Sequence, residues 1–446
     1  MDTQKMDKTC LNQDNETKKN VLGLSEKYYL VVGDRFELFY RGVIKMHNPY
    51  RYYVKATCPK GYTYNRYFTY TPKDGEEGNY PLKIALYDDD GTVICEKETT
   101  LVVEKPKEIN RKVNVLCFGD SLTVNGVWPS IGFEKYDKEF PGLLNFIGKS
   151  KKVLEDENIV GYEGYGGWQW KTFCFDNDKS PSSSVWVKCN HNKTDLDQHS
   201  VWECDGRKWV LETIEEDRLK FKRGLGNSQV NPVLGEKLTY VEHGENTEDI
   251  YIDSYEYSDG NPFWNKVTGK VDFKDYVTKN NFGDIDYVFI LLTWNGQYIP
   301  YNKDFSIHDE YSSVIIDQIH KDFPNAKIGL MGIQLPCPNG GITACYGADG
   351  YYHDWYGETI TAFNYNEFLE EKCKQDKYKD YVEYFDIKAQ FDAEYNYWVK
   401  EVPVNNRNPE ITERIGTNGI HPNLCGYNQF GDAFYRALVY MLNKYN

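Results

Sequence analysis

Apolar positions along the chain follow two different rhythms, and the change falls near residue 110. Before it, short apolar and β-branched runs (YYLVVGDRFELFY, RYYVKATCPKGY, YFTYTP, PLKIALYDDDGTVICEK, TTLVVE) alternate with turn residues over 26–105. Such spacing predicts an all-β module and suggests an immunoglobulin-like sandwich. From Lys112 onward, buried-strand runs alternate with helical stretches. KVNVLCFG, 158–162, IDYVFILL (285–292), KIGLMGI (327–333) and YVEYFDI (381–387) read as strands; 134–152, 309–322, 358–375 and 426–443 read as helices. That alternation predicts an α/β domain whose parallel sheet is covered on both faces.

The pattern also sets an expected organisation. Residues 1–25 form a polar arm, 26–107 the β module, with KPKEIN as linker, and 108–446 the α/β domain. Inside the latter, 171–270 breaks the alternation with strand-like runs (SSVWVKC, HSVWECDGRKWVLETI, RLKFKRGLGN, EKLTYVEHG, DIYIDSYEY), of which DGRKW is a hairpin signal. This block reads as a β-rich insertion.

Composition narrows the function classes. A net charge of −16 repels phosphate backbones and anionic lipid, which disfavours nucleic acid and membrane surfaces as partners. No apolar run is long enough to span a bilayer. The opening MDTQKMDKTCLNQDNETKKN lacks the apolar core of a secretory signal, so the chain is expected to be made in the cytoplasm. The 11 Cys are an odd, scattered set, and Cys117, Cys337 and Cys373 sit in or beside expected core elements, which fits reduced thiols.

Four segments carry candidate chemistry. Phe118-Gly119-Asp120-Ser121-Leu122-Thr123 directly follows an apolar strand, which puts a serine on a tight turn at the rim where open α/β sheets bind ligands. Asn418-Gly419-Ile420-His421-Pro422-Asn423 precedes the last helix and holds one of only 8 His. Gly164-Tyr165-Gly166-Gly167 follows a strand and offers a backbone N–H; Thr293-Trp294-Asn295-Gly296 ends another and offers an amide. Ester hydrolysis needs a nucleophile, a base and donors around the developing oxyanion. Cys189, His191, His199 and Cys204 match no structural zinc spacing, and the Gly164–Gly167 run lacks the Lys-Ser/Thr of a phosphate loop. No metal and no cofactor is expected.

Together, in this order, the four segments resemble the conserved blocks of the SGNH (GDSL-type) serine hydrolase family, including phage and gut-bacterial members with an N-terminal β module. The resemblance covers about 112–445 outside the insertion. It implies a flavodoxin-like three-layer α/β/α domain with a five-stranded parallel sheet. It also implies Ser121 as nucleophile, His421 as base, and Ser121, Gly164 and Asn295 as the oxyanion hole. The family usually has Asp three residues before the histidine; here that position is Asn418. Asn418 orients the imidazole, or a backbone carbonyl does, or another acid such as Glu413 or Asp386 reaches it.

The resemblance implies a carboxylic ester hydrolase. The β module, the β-rich insertion and Trp168, Trp170, Trp294 and Trp355 suit an acylated glycan, with O-acetyl the expected ester. Two alternatives stay open: a lipase- or lysophospholipase-like esterase, and a phage tail or surface protein that uses the domain mainly to bind glycans or a receptor. The second would act outside the cell with virion or cell-surface assembly partners.

Overall fold

The computed structural model describes residues 21–176, 260–292, 294–296, 299–338 and 355–446, together with strand segments and single residues between 185 and 257. The chain is mixed α/β and divides into two compact units: 1–164 with 282–309 and 323–446, and 165–281 with 310–322.

The first unit opens with β1 (Lys27–Val31), β2 (Phe36–Phe39), β3 (Tyr53–Thr57), β4 (Tyr62–Thr63), β5 (Tyr67–Tyr70), β6 (Gly78–Tyr87) and β7 (Val93–Glu104). They form a four-stranded sheet, β1-β7-β6-β3, and a three-stranded one, β2-β5-β4. Pairing is antiparallel except for β1 against β7, which run parallel. Leu30, Phe36, Leu38, Leu82, Ile84 and Leu101 of the two sheets share one buried cluster, which also takes in Ala389.

The second set begins with β8 (Val113–Gly119), α1 (Val127–Asp137), β9 (Leu144–Ile147), β10 (Ser150–Val153) and β11 (Ile159–Gly164). It continues with β12 (Tyr287–Leu291), α2 (Ser306–Asp322, of which 310–322 belong to the other unit), β13 (Lys327–Met331), α3 (Trp355–Lys374), β14 (Val382–Phe385), β15 (Val399–Asn405), β16 (Asn408–Gly416) and α4 (Leu424–Tyr445). The strand order is β10-β11-β8-β12-β13-β14. All of these pairings are parallel except the β10–β11 hairpin. β9 pairs with the first half of β8, and β11 with its last two residues.

Successive strand side chains point to opposite faces, and β14 shows where the helices lie. Tyr384 hydrogen-bonds Asn366 of α3, whereas Phe385 packs on Tyr440 of α4. α3 and α4 therefore cover opposite faces of the sheet. Phe434 of α4 also meets Phe289 of β12 and Trp128 of α1 edge-on.

Two local readings change. The helix expected at 134–152 ends at Asp137, and its second half is strand. Pro141-Gly142 breaks the helix, with Gly142 in the left-handed region, and the apolar LNFI then pairs with β8. The β15–β16 hairpin was not anticipated; its alternation is carried mostly by polar and exposed residues, which apolar periodicity does not register.

The other unit carries an antiparallel sheet. Its order is Ile250–Tyr251, Lys237–Glu242, Val201–Cys204, Arg207–Ile214, Leu219–Arg223, Val185–Lys188 and Ser254–Tyr257. Trp202, Trp209, Leu211, Phe221 and Leu238 are among the residues of its own core. Among the described residues no helix is long and apolar enough to cross a membrane.

Candidate active site

Strand register brings the site together. Gly119 at the end of β8 lies opposite Gly164 of β11 on one side and Leu291 of β12 on the other. Three strands thus end level. Ser121 lies two residues beyond β8, and Asn295 four beyond β12. Both glycines are required by close approach. A Cβ on Gly119 would stand 2.2 Å from the Leu291 carbonyl oxygen, and one on Gly164 2.6 Å from the backbone at Thr123 and Val124.

The turn carrying Ser121 is closed by Asp120. Its backbone N–H donates to Leu291 O (3.3 Å), its carbonyl accepts from Thr123 N–H (2.9 Å), and its Oδ1 accepts from Leu122 N–H (3.0 Å). Its Oδ2 accepts from Asn295 Nδ2 at 3.2 Å. One buried carboxylate therefore ties the Ser121 turn to the Asn295 turn. Trp128 Nε1 donates to Thr123 Oγ1 (3.2 Å), fastening the same turn to α1. Beneath it, burial pushes the Tyr427 phenol well above its ordinary value, and the charge on Asp120 adds to this.

His421 reaches the nucleophile candidate from the loop before α4. Its Nε2 lies 2.8 Å from Ser121 Oγ, within hydrogen-bond reach, and both residues are partly exposed. Asn418 Oδ1 accepts from the backbone N–H of His421 (2.8 Å) and of Ile420 (3.1 Å). It builds an Asx turn that sets where the histidine emerges. Gln334 and Cys337, in the loop after β13, brace the same segment: Gln334 Nε2 donates to Ile420 O (2.7 Å) and Cys337 N–H to Gly419 O (3.0 Å). Asn423 caps α4 through Gly426 N–H (3.1 Å), and Tyr397 forms a backbone bridge with Pro422.

Of the two acids raised as alternatives, Asp386 is engaged by other groups and Glu413 stands on an exposed strand. Asp386 is buried, with Oδ2 on Tyr28 Oη (3.0 Å) and Lys388 Nζ (3.1 Å) and Oδ1 on Ala389 N–H (3.2 Å). Glu413 lies exposed in β16 opposite Val402. Of the tryptophans read as sugar contacts, Trp168, Trp170 and Trp294 are buried, so they pack in cores and present no face to a ligand. The side chain of Trp355 lies outside the described residues, as do Cys189, His191, His199 and the side chain of Cys204. Among the described residues, no three His, Cys, Asp or Glu side chains converge as metal ligands would.

Two contributors were missed in the sequence. Asp120 was visible only as a turn former, and its bond to Asn295 spans 175 positions. Gln334 carried a signal: a lone polar residue at the end of an apolar strand run, and it is fully buried.

No protein-family model matches the chain. No curated protein matches it either. Among solved structures it is similar to a carbohydrate esterase family 3 protein from Talaromyces cellulolyticus, at 11% identity over 75% of this chain and 100% of that one, TM-score 0.34. A peptidoglycan O-acetylesterase matches at 11% identity over 75% and 92%, TM-score 0.33. A possible lipase from Chitinophaga pinensis DSM 2588 matches at 13% over 74% and 99%, TM-score 0.32. Likenesses this distant carry no argument about what the chain does, which rests on the site itself.

Proposed function

We propose that the chain is a serine esterase of the SGNH type that removes short acyl groups, O-acetyl above all, from a carbohydrate. The observation that carries this is the 2.8 Å approach of His421 Nε2 to Ser121 Oγ at the level ends of three parallel strands. A hydroxyl beside an imidazole, at a partly exposed rim, is the arrangement that makes serine a nucleophile near neutral pH.

In the proposed cycle, His421 Nε2 takes the Ser121 proton as Oγ bonds to the ester carbonyl carbon. The carbonyl oxygen becomes an oxyanion, facing the N–H of Ser121, the N–H of Gly164 and the Asn295 amide. Collapse of this intermediate breaks the bond to the sugar oxygen, which leaves with the proton from His421. Water then loses a proton to His421 and attacks the acyl carbon; a second collapse frees the acid and returns the proton to Ser121. The Asn295 amide, which donates to Asp120 Oδ2, is the proposed side-chain donor to the oxyanion. Asp120 thereby holds the donor in one orientation before substrate arrives, which is what electrostatic preorganisation requires. The carbohydrate part of the reading is supported by exposed aromatics in the first unit, among them Trp398 beside the bridge at Pro422.

Ser121→Ala, assayed on p-nitrophenyl acetate, is expected to lower kcat/KM by roughly 10³-fold or more with an unchanged melting temperature. Turnover equal to that of the parent would sink the assignment. Acetate release from acetylated polysaccharides by the parent tests the carbohydrate part.

A further inference from the structure

We infer a saccharide-binding subsite formed by His47, Asn48, Tyr301 and Tyr356, apart from the reacting atoms. It rests on the carbohydrate reading above for its place in the reaction. These four residues line an open concavity of about 470 Å³ in the first unit. Tyr301 and Tyr356 are each close to half exposed (48% and 44%). The His47 ring stands edge-on to both, at 5.9 Å from Tyr301 and 4.9 Å from Tyr356, with Nε2 3.3 Å from the Tyr301 hydroxyl.

The exposed rings are held rather than loose. Tyr301 has φ +57°, a left-handed conformation that a bulky side chain rarely adopts. Its N–H donates to Gly357 O (2.9 Å), and a Cβ on Gly357 would stand 2.8 Å from the Tyr301 ring. On either side, Ile299 O accepts from Thr361 Oγ1 (2.6 Å), Asn302 N–H donates to Thr361 Oγ1 (2.9 Å), and Asn302 O accepts from Asn364 Nδ2 (2.6 Å). A strained, braced backbone that keeps an aromatic ring in water is a feature that packing alone does not require.

The lining selects the ligand class. Among the described residues, none of the four that line it is Asp, Glu, Lys or Arg. The concavity is open and edged by two phenols, an imidazole and an amide, which suits an acyl chain poorly. A pyranose fits both halves: its C–H face stacks on a tyrosine ring while its hydroxyls meet Tyr, His and Asn. Asn48 Oδ1 accepts from Tyr50 N–H (3.1 Å), which leaves its NH₂ directed to other partners. Asn295 and Tyr301 are six residues apart, at most about 21 Å along the chain, so one saccharide chain can reach from the subsite to the Asn295 turn.

Binding is read by affinity electrophoresis in gels containing soluble acetylated xylan or, separately, chito-oligosaccharide. Ser121→Ala protein is used so that deacetylation does not alter the ligand. Tyr356→Ala and Tyr301→Asn, the latter because Asn tolerates the left-handed region, are each expected to weaken retention about tenfold. Tyr301→Phe, which keeps the ring, is expected to retain most of it. Retention by neither saccharide, or equal retention of all variants, overturns the subsite. Because retention is read without turnover, loss of the esterase reading would show separately, as a parent protein inactive on p-nitrophenyl acetate.

Discussion

Two strands of the same parallel sheet end in an aspartate, and the two aspartates have different occupations. Asp120 follows β8 and Asp386 follows β14, and both are buried. Asp120 accepts from N–H groups of the candidate site, those of Leu122 and Asn295. Asp386 accepts from the ammonium of Lys388 and the Tyr28 hydroxyl, at the seam with the N-terminal sheets. Lys388 Nζ in turn donates to the carbonyls of Gly23 (3.1 Å) and Gly42 (2.7 Å). Residue type, strand-end position and burial are shared, so the partners decide the role. One carboxylate orders a reactive turn; the other locks the N-terminal residues onto the sheet.

If that contrast is right, removing the second carboxylate is a stability lesion. Asp386→Ala leaves the Lys388 ammonium buried beside two carbonyls and the Phe363 ring with no carboxylate partner, and breaking a buried pair in this way costs about 3–5 kcal/mol. Urea unfolding is expected to show that loss, while kcat per folded molecule on an aryl ester stays near the parent value. A selective fall in kcat with unchanged stability would reverse the assignment.

A smaller effect comes from behind the Asn295 turn. Burial pushes the His308 imidazole down to about 4, against the opposing influence of its hydrogen bond with the Gly296 backbone. Its folded value lies below the ordinary 6.5, so the unfolded chain binds the proton more tightly. Stability from this group is complete above pH 6.5 and is lost as pH falls toward 4. The interval corresponds to roughly 3 kcal/mol. Urea midpoints at pH 7, 5.5 and 4.5 are expected to fall in that order, and less steeply in His308→Gln.

The first carboxylate should show the opposite signature to Asp386. Asp120→Asn can present the wrong amide group to Asn295, and the oxyanion donor then loses its fixed orientation. Removing one such donor costs about 10²–10³ in kcat. Asp120→Asn is expected at the low end, with KM little changed. Steady-state kinetics on an aryl ester separate this from a binding defect.

How much of this contrast was legible in the sequence follows from the range of the interactions. Ser121, His421, Gly164 and Asn295 stood out because each sits in a local signature at a strand end or helix entry. The strands themselves showed as apolar runs, since a sheet buried on both faces leaves no alternation to misread. The partners of Asp120 and Asp386 did not show. Asn295 is 175 positions from Asp120, and Tyr28 is 358 from Asp386, so no window could join them. The helix expected at 134–152 failed for a related reason: LNFI is short and apolar, and its pairing with β8 decides its state.

The smallest expected effect concerns Asn418, the position at which the SGNH hydrolases that the sequence resembles usually have Asp. Its Oδ1 accepts two backbone N–H groups, from Ile420 and His421, so its work is to shape the turn that presents the imidazole. Side-chain acceptors of this kind are worth about 1 kcal/mol. Asn418→Ala is therefore expected to lower kcat by roughly tenfold at most, well short of the Ser121→Ala loss. Asn418→Asp keeps the acceptor and the turn, so it is expected to stay within a few-fold of the parent. A large gain in Asn418→Asp would mean instead that the carboxylate reaches and stabilises the imidazolium, and that the native amide limits the rate. A loss in Asn418→Ala as deep as in Ser121→Ala would make Asn418 a full partner of the pair. Measured side by side on one aryl ester, the three variants separate a turn former from a charge partner.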